Sequence, residues 1–376
     1  MRVAVDCTPL LTPHTGIGVF CDHLVRGLAA RHDLDLVAFA LTFRGRGRLA
    51  AQLPDGVTVV DRPTPAALLK ELWRRGDRPS VRFLTAGADV VHGPNFVVPP
   101  SAGAAEVVSV HDLGPLHFPH LVSADARRVP DLLRRAIGRG AWVHTDSAFV
   151  AAEVVRYLDA DPARVRAIHP GVAVASEGPG TTPGDGAALA GGGRYLLALG
   201  SVEPRKNVPE LVHAFDRLAS THADLRLVIA GPHGLASADA AEAIGAAAHG
   251  DRVVRLQWVD DRQRSALLRG AAAFVYPSRY EGFGFPPLEA QATGTPVVTT
   301  RAGSLPEVVG DGAIIVDPTA GPDLVDALVA AISPLLDDPT PAAALVERGA
   351  RNVARFTWPA CVDGLVELYR AASAAR

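Results

Sequence analysis

The 376-residue sequence predicts an α/β protein built from two Rossmann-like domains whose parallel sheets face each other across a cleft. Three observations carry that prediction. The chain is too long for one ordinary core and fits two domains of roughly 150 to 200 residues. Short apolar runs alternate with helical patterns in two separate series, as βαβ units with mostly parallel strands do. Between the series lies a stretch rich in Gly, Pro and Thr with no hydrophobic period. A composition of 48% hydrophobic and 20% charged residues is that of a globular chain.

The first series runs RVAVD, a helix from about Gly18 to Ala30, DLDLVAFAL, VTVV, a helix near Ala66 to Trp73, ADVVH, EVVSVH and AWVHTDS. It defines a domain over 1–172. The segment 173–193, with its small residues and glycines, reads as a flexible linker. The second series, over 194–354, runs RYLLALG, a helix from Val208 to Ala219, LRLVIAG, an alanine-rich helix, RVVRLQ, a helix near Arg262 to Arg269, AAFVYPS, TPVVTT and AIIVDP. The final stretch, 355–376, reads as a helix around Trp358 to Ala372 that crosses back to brace the first domain. In sheets of this kind ligands sit outside the carboxyl ends of the strands, so the residues just after each strand are the ones to inspect.

Bulk chemistry excludes several classes. The net charge is −3 and neither half is strongly basic, so no nucleic-acid partner is expected. Cys7, Cys21 and Cys361 are odd in number and lack metal-ligand spacing, as core thiols in a reducing compartment would be. Met1 and Arg2 lead straight into the first strand, and no apolar segment has signal-peptide or membrane-span length, so the expectation is a soluble cytoplasmic protein. There is no phosphate loop, nucleophile elbow or zinc-binding His-Glu-x-x-His. Only two of the 37 basic residues are lysines, Lys70 and Lys206.

The most informative stretch is YPSRYEGFGFPPLEAQATGTPVV, residues 276–298. A buried strand ends at Tyr276 and Pro277, and a loop carries Glu281, Gly282 and Gly284. A helix then starts near Pro287 and stops at Gly294, with Glu289 expected in its first turn. Such a helix N-terminus suits an anion or a hydroxyl. Glu281 and Glu289 suit a polyhydroxylated ligand; their alternative roles are a solvated loop charge and a capping-box glutamate. In GSVEPRKN, residues 200–207, Arg205 and Lys206 follow a strand and precede a helix whose expected N-cap is Asn207. A diphosphate needs cationic compensation, which such a pair supplies as a fork plus a point charge.

Together EGFGFPPLE, the preceding YPS, the following GTPVVTTRAGSLPEVVGDGAIIVDP and GSVEPRKN closely resemble the retaining GT-B glycosyltransferases of family 4, and the resemblance covers nearly the whole chain. It implies a GT-B fold with an acceptor-side first domain and a donor-side second domain. It implies that Glu281 contacts the donor sugar hydroxyls, that Glu289 holds the ribose, and that Arg205 and Lys206 bind the diphosphate. The backbone of Gly282, Phe283, Gly284 and Phe285 lies against the sugar and phosphate. The loop around Trp258 and Val259 touches the nucleobase, unless Trp258 is a core tryptophan.

In the first domain TGIG, residues 15–18, opens a helix after the first strand, but Cys21 occupies the third glycine position of a dinucleotide fingerprint. The resemblance places Gly16 and Gly18 beside the donor phosphates and the acceptor. His111 and Asp112 stand at the end of EVVSV, where either fits a satisfied core polar residue equally well. The resemblance makes His111 the first-domain catalytic partner, hydrogen-bonding a sugar hydroxyl or stabilising developing charge.

The activity implied is a retaining transfer of a hexose, mannose from GDP-mannose being favoured, to a glycan, lipid-linked or small-molecule acceptor hydroxyl. No metal or other cofactor is expected. The Asp-x-Asp pairs that a metal-dependent enzyme would use, Asp33 with Asp35 and Asp159 with Asp161, sit at turn-like junctions. No side chain is a convincing covalent nucleophile, so a same-face attack assisted by the leaving phosphate fits, with closure of the domains excluding water. The rivals are a nucleotide-sugar epimerase of the same architecture and a non-catalytic nucleotide-sugar binding subunit. The arginine-rich segment 127–142, with Leu132, Leu133, Ile137 and Trp142, suits either a helix covering the sheet or a peripheral contact with the inner membrane face.

Overall fold

Every strand pairing among the described residues is parallel, and the strands form two separate sheets. The computed structural model describes residues 1–11, 16–43, 45, 47–172, 181–317 and 321–376. The chain divides into two units, Met1–Gly171 with Thr357–Arg376 and Val172–Phe356. Each carries one sheet.

In the first unit the strands are β1 (Arg2–Asp6), β2 (Asp35–Phe39), β3 (Thr58–Val60), β4 (Val90–Gly93), β5 (Ala105–Val110), β6 (Trp142–Thr145) and β7 (Val165–Ala167). They lie in the order β3-β2-β1-β4-β5-β6-β7. Helices α1 (Gly16–Ala29), α2 (Ala66–Arg75), α3 (Gly114–His117), α4 (Val129–Gly138) and α5 (Ala148–Leu158) connect them. The central strands are apolar on both sides, as a parallel sheet covered on both faces requires, and the two faces carry separate core clusters. Ser147 caps α5 by accepting from the Val150 N–H at 3.2 Å.

The second unit begins with α6 (Pro183–Leu189) and continues through β8 (Tyr195–Leu199), α7 (Val208–Ala219), β9 (Arg226–Ala230), α8 (Ser237–Ala246), β10 (Val253–Leu256) and α9 (Asp261–Gly270). Then come β11 (Ala273–Tyr276), α10 (Phe285–Ala292), β12 (Val297–Thr300), α11 (Leu305–Val309), β13 (Ala313–Val316), α12 (Pro322–Asp337) and α13 (Pro339–Val353). The strand order is β10-β9-β8-β11-β12-β13.

The segment expected to be a flexible linker differs from that expectation. Residues 173–180 lie outside the described residues, while Pro183–Leu189 is the helix α6. Asp185 starts it, accepting from the Thr182 N–H at 2.8 Å. Gly186 then lets it lie against α9, since a Cβ there would run into the carbonyl of Ala266 and the Tyr195 hydroxyl. Small residues that look like linker composition are used for close helix packing.

The last helix, α14 (Trp358–Ala374), belongs to the first unit, where it packs against α1, β4, β5 and β6. Leu365 and Tyr369 on it are fully buried. Both sheets reverse their strand order once, between β1 and β4 in the first unit and between β8 and β11 in the second. At such a reversal the loops leave to opposite faces and open a crevice at the carboxyl ends. Among the described residues no helix is long and apolar enough to cross a membrane.

Leu365→Ala is expected to cost about 2 to 5 kcal/mol by opening a cavity beneath α14. In urea unfolding followed separately for the two units, only the first unit's transition should shift; equal shifts would show that α14 does not belong to that core.

Candidate active site

The second sheet's reversal point brings together the two loops singled out from the sequence. After β8, Pro204–Lys206 makes one turn of 3-10 helix before α7; after β11, the chain runs through Ser278 and Glu281 to α10. The Arg279 N–H donates to the Arg205 carbonyl at 2.7 Å, Arg205 Nη1 to the Tyr280 carbonyl at 3.0 Å, and Asn207 Nδ2 to the Pro277 carbonyl at 2.7 Å. The two loops are thereby one bonded unit. Asn207 is at the N-cap position of α7 but does not cap with its side chain, because both its amide atoms are engaged with the other loop, by Pro277 and Arg279.

At the centre is the Glu281 carboxylate, 8% exposed. Its Oε1 accepts from Lys206 Nζ at 2.7 Å and Ser278 Oγ at 2.8 Å and forms an ion pair with Arg205 Nη1 at 2.6 Å. Lys206 also donates to the Tyr276 hydroxyl and lies 4.1 Å from the centre of that ring. Burial opposes ionisation of Glu281, but Lys206 and then Arg205 outweigh it and hold the carboxyl at about 2. Lys206 is buried as deeply, and Glu281 offsets its desolvation only in part, so its ammonium is lowered to about 8. The Glu281 carboxylate thus lies between two cations, with Glu203 acting on Lys206 as well. Ser304 fixes the Glu281 backbone, its N–H donating to the Glu281 carbonyl at 3.0 Å. Gly303 reaches φ +59° there, and a Cβ would collide with the Glu281 carbonyl.

Helix α10 starts at Phe285, two residues before the expected Pro287, because Gly284 takes a left-handed N-cap with φ 108°. Glu289 therefore lies in the second turn and is no capping-box residue. Its carboxylate accepts from Arg264 of α9, and burial still raises its pKa against that partner. The Phe283 ring packs edge-on to Phe285 and Phe356. Trp258 is 70% exposed, which removes its reading as a core tryptophan, while Val259 packs against the sheet's core.

In the first unit Gly16 and Gly18 fall in the first turn of α1, and Thr15 lies outside the described residues. His111 is buried just after β5. Its Nδ1 faces Asp146 Oδ2 at 2.7 Å and its Nε2 faces the Pro94 carbonyl at 2.8 Å. Burial opposes the imidazolium, but the Asp146 carboxylate and both hydrogen bonds prevail and raise the pKa. With both nitrogens committed to protein acceptors, the ring does not offer a hydrogen bond to a sugar hydroxyl in this arrangement.

The sequence profile described as Glycosyl transferases group 1 matches residues 186–352, and that described as Glycosyltransferase Family 4 matches residues 14–176. The chain is 30% identical to a D-inositol 3-phosphate glycosyltransferase of Acidothermus cellulolyticus over 100% of its own length and 90% of the relative's. The protein is a family 4 glycosyltransferase. It is also 27% identical to the O-antigen chain mannosyltransferase B of Escherichia coli, over 98% of the chain and 100% of that protein. The fold is GT-B: a sucrose-phosphate synthase from Thermosynechococcus elongatus superposes with a TM-score of 0.74 at 20% identity, covering 100% of both chains.

Within this transferase, sequence reasoning missed Tyr276 and Ser278 as partners of Lys206 and Glu281, although YPS carried them. It also missed Arg264 and Asp146, which lie far along the chain from the residues they hold. Of the two alternatives for segment 127–142, the structure shows the helix that covers the sheet: Leu132, Leu133 and Trp142 are buried in the first unit's core.

Glu281→Gln removes the carboxylate that contacts both cations and is expected to cost about 3 to 5 kcal/mol at neutral pH. The Glu281 contribution is fully present above its unfolded value of 4.5 and lost as pH falls towards about 2. Urea unfolding across that range should therefore lose part of its acid dependence in the variant. An unchanged acid limb would contradict the pairing.

Proposed function

We propose that the protein is a retaining hexosyltransferase that takes its sugar from a nucleoside diphosphate donor, without a metal ion, and gives it to an acceptor hydroxyl of a glycan, a lipid-linked sugar or a small molecule. The observation that carries this is the Arg205–Lys206–Glu281 cluster at the second sheet's reversal point. It joins a preformed positive site, suited to a departing diphosphate, to a carboxylate suited to sugar hydroxyls. The N-terminus of α10, with its partial positive charge, stands after the same loop. Glu289 is assigned the ribose, Trp258 and Val259 the base, and Gly16 and Gly18 the donor phosphates and the acceptor. The mannosyltransferase relative favours mannose as the sugar, and the family resemblance favours GDP-mannose as its donor.

In the reaction the sugar–phosphate bond breaks as the acceptor oxygen attacks from the same face. The leaving phosphate takes the acceptor proton, and Arg205 and Lys206 hold the resulting diphosphate in place of a divalent cation. Glu281 keeps both cations positioned until the phosphate arrives and orients the sugar.

Thermal unfolding with UDP, GDP, dTDP and ADP, each with and without EDTA, tests the donor site. One diphosphate should stabilise the protein by about 2.7 kcal/mol at a hundredfold excess over its Kd, with no effect of EDTA. No shift with any of them would remove the donor reading, and a shift abolished by EDTA would remove metal independence. Glu281→Ala should abolish transfer to acceptor while leaving the protein folded; donor conversion without acceptor would identify an epimerase instead. Because free Lys206 loses its proton at about 8, diphosphate affinity should fall as pH rises through that value. A flat titration would take Lys206 out of the site.

A further inference from the structure

Beneath the first sheet's carboxyl edge runs a buried polar chain that the reaction above does not use. The Tyr369 hydroxyl of α14 meets His92 Nδ1 at 2.7 Å, His92 Nε2 meets Ser109 Oγ at 2.8 Å, and Ser109 Oγ meets His144 Nδ1 at 2.8 Å. His144 Nε2 ends the chain on the Ile168 carbonyl at 3.0 Å. Tyr369, His92, Ser109 and His144 are fully buried.

With His92 and His144 neutral, as burial that lowers the pKa of each favours, the carbonyl end fixes every proton. A carbonyl only accepts, so His144 carries its hydrogen on Nε2 and, being neutral, accepts at Nδ1 from Ser109. Ser109 then accepts from His92 Nε2, and His92 Nδ1 accepts from the tyrosine hydroxyl. The chain runs one way from α14 to β7's end.

Asp146 stands beside the end of this chain, its Oδ1 3.8 Å from His144 Nε2 and without a hydrogen-bond partner among the described residues. Its Oδ2 meets His111 Nδ1, whose other nitrogen faces the Pro94 carbonyl. Two acceptors on one ring require two ring protons. The groups that influence His111 and its partner are Asp146 just after β6, His144 of β6, Asp112 next in sequence, His92 of β4, His169 after β7 and Cys361 of α14. Of the three buried histidines, only His111 has a carboxylate within hydrogen-bond distance; for His144 the nearest carboxylate oxygen stands 3.8 Å away. Spending His144's proton on Ile168 leaves that carboxylate to His111 alone.

We propose that Asp146 is a positioning residue that keeps His111 doubly protonated, so that the transferase holds a fixed positive charge at His111 and not a neutral imidazole that exchanges a proton. The charge would act on the phosphate or on negative charge developing in transfer. This use of the charge rests on the assignment of His111 to the reaction; the protonation state does not.

Long-range proton–nitrogen correlation spectra of the full-length, ligand-free protein labelled at histidine decide the protonation state directly. At about pH 7.5, well above the ordinary histidine value, His111 should show both nitrogens protonated while His92 and His144 show one each. A singly protonated His111 in the wild-type protein overturns the proposal, whether or not any variant folds. In Asp146→Asn, His111 should become neutral, Nε2–H still donating to Pro94 and Nδ1 accepting from the new amide; a persisting imidazolium overturns the role of Asp146. Transfer by that variant should lose at least about 10-fold in kcat with donor KM little changed, and the loss should grow as pH rises. A neutral His111 with unchanged kcat would overturn the charge's part in transfer. His111→Gln at full activity, with the wild-type spectra as expected, would instead remove His111 from the reaction and leave the protonation assignment standing.

Discussion

The second unit is organised around a single carboxylate oxygen. Glu281 Oε1 takes hydrogen bonds from Lys206 and Ser278 and an ion pair from Arg205 at the one place in that sheet where consecutive loops diverge. Removing an ionised carboxylate and an ammonium from water is costly, and each is tolerable only because the other is in contact. The surrounding structure secures that contact. Ser304 and Gly303 hold the Glu281 backbone from below, and Asn207 and Arg279 tie the lysine's loop to the glutamate's. The cations are thus already ordered before a phosphate arrives, and their side-chain entropy is not lost again on binding.

The two units solve the burial of charge differently. In the second, a carboxylate and two cations are gathered at a strand end and bonded into one cluster. In the first, the one buried imidazolium is matched by one carboxylate, and the other two imidazoles are held neutral by a directed chain reaching into α14. The terminal helix is therefore more than a hydrophobic cover, since its Tyr369 supplies the first donor of that chain.

Much of this was legible in the sequence. The alternation of apolar runs and helices gave the two parallel sheets, and the residues after β8 and β11 stood out because β-strand ends at a reversal are where side chains converge. Arg205, Lys206 and Glu281 meet because their loops leave neighbouring strands, which strand order implies but a linear motif does not state. The mistaken element has an identifiable cause, since composition was read where packing decides: Gly186 looked like linker and serves close helix contact. Where the sequence left alternatives open, packing chose between them, exposing Trp258 and covering Leu132 and Leu133. Asp146 and Arg264 were invisible because their partners come from other elements, far along the chain.

The most direct test of the account is calorimetric titration of the matching nucleoside diphosphate and monophosphate into the wild-type protein and Lys206→Met. If the ordered cation pair is the diphosphate cradle, the variant should lose about 2 to 3 kcal/mol of diphosphate affinity, the loss of a buried charge-assisted contact, while its weaker monophosphate binding stays the same. Equal diphosphate affinity in the two proteins would contradict the assignment of the cluster to the donor.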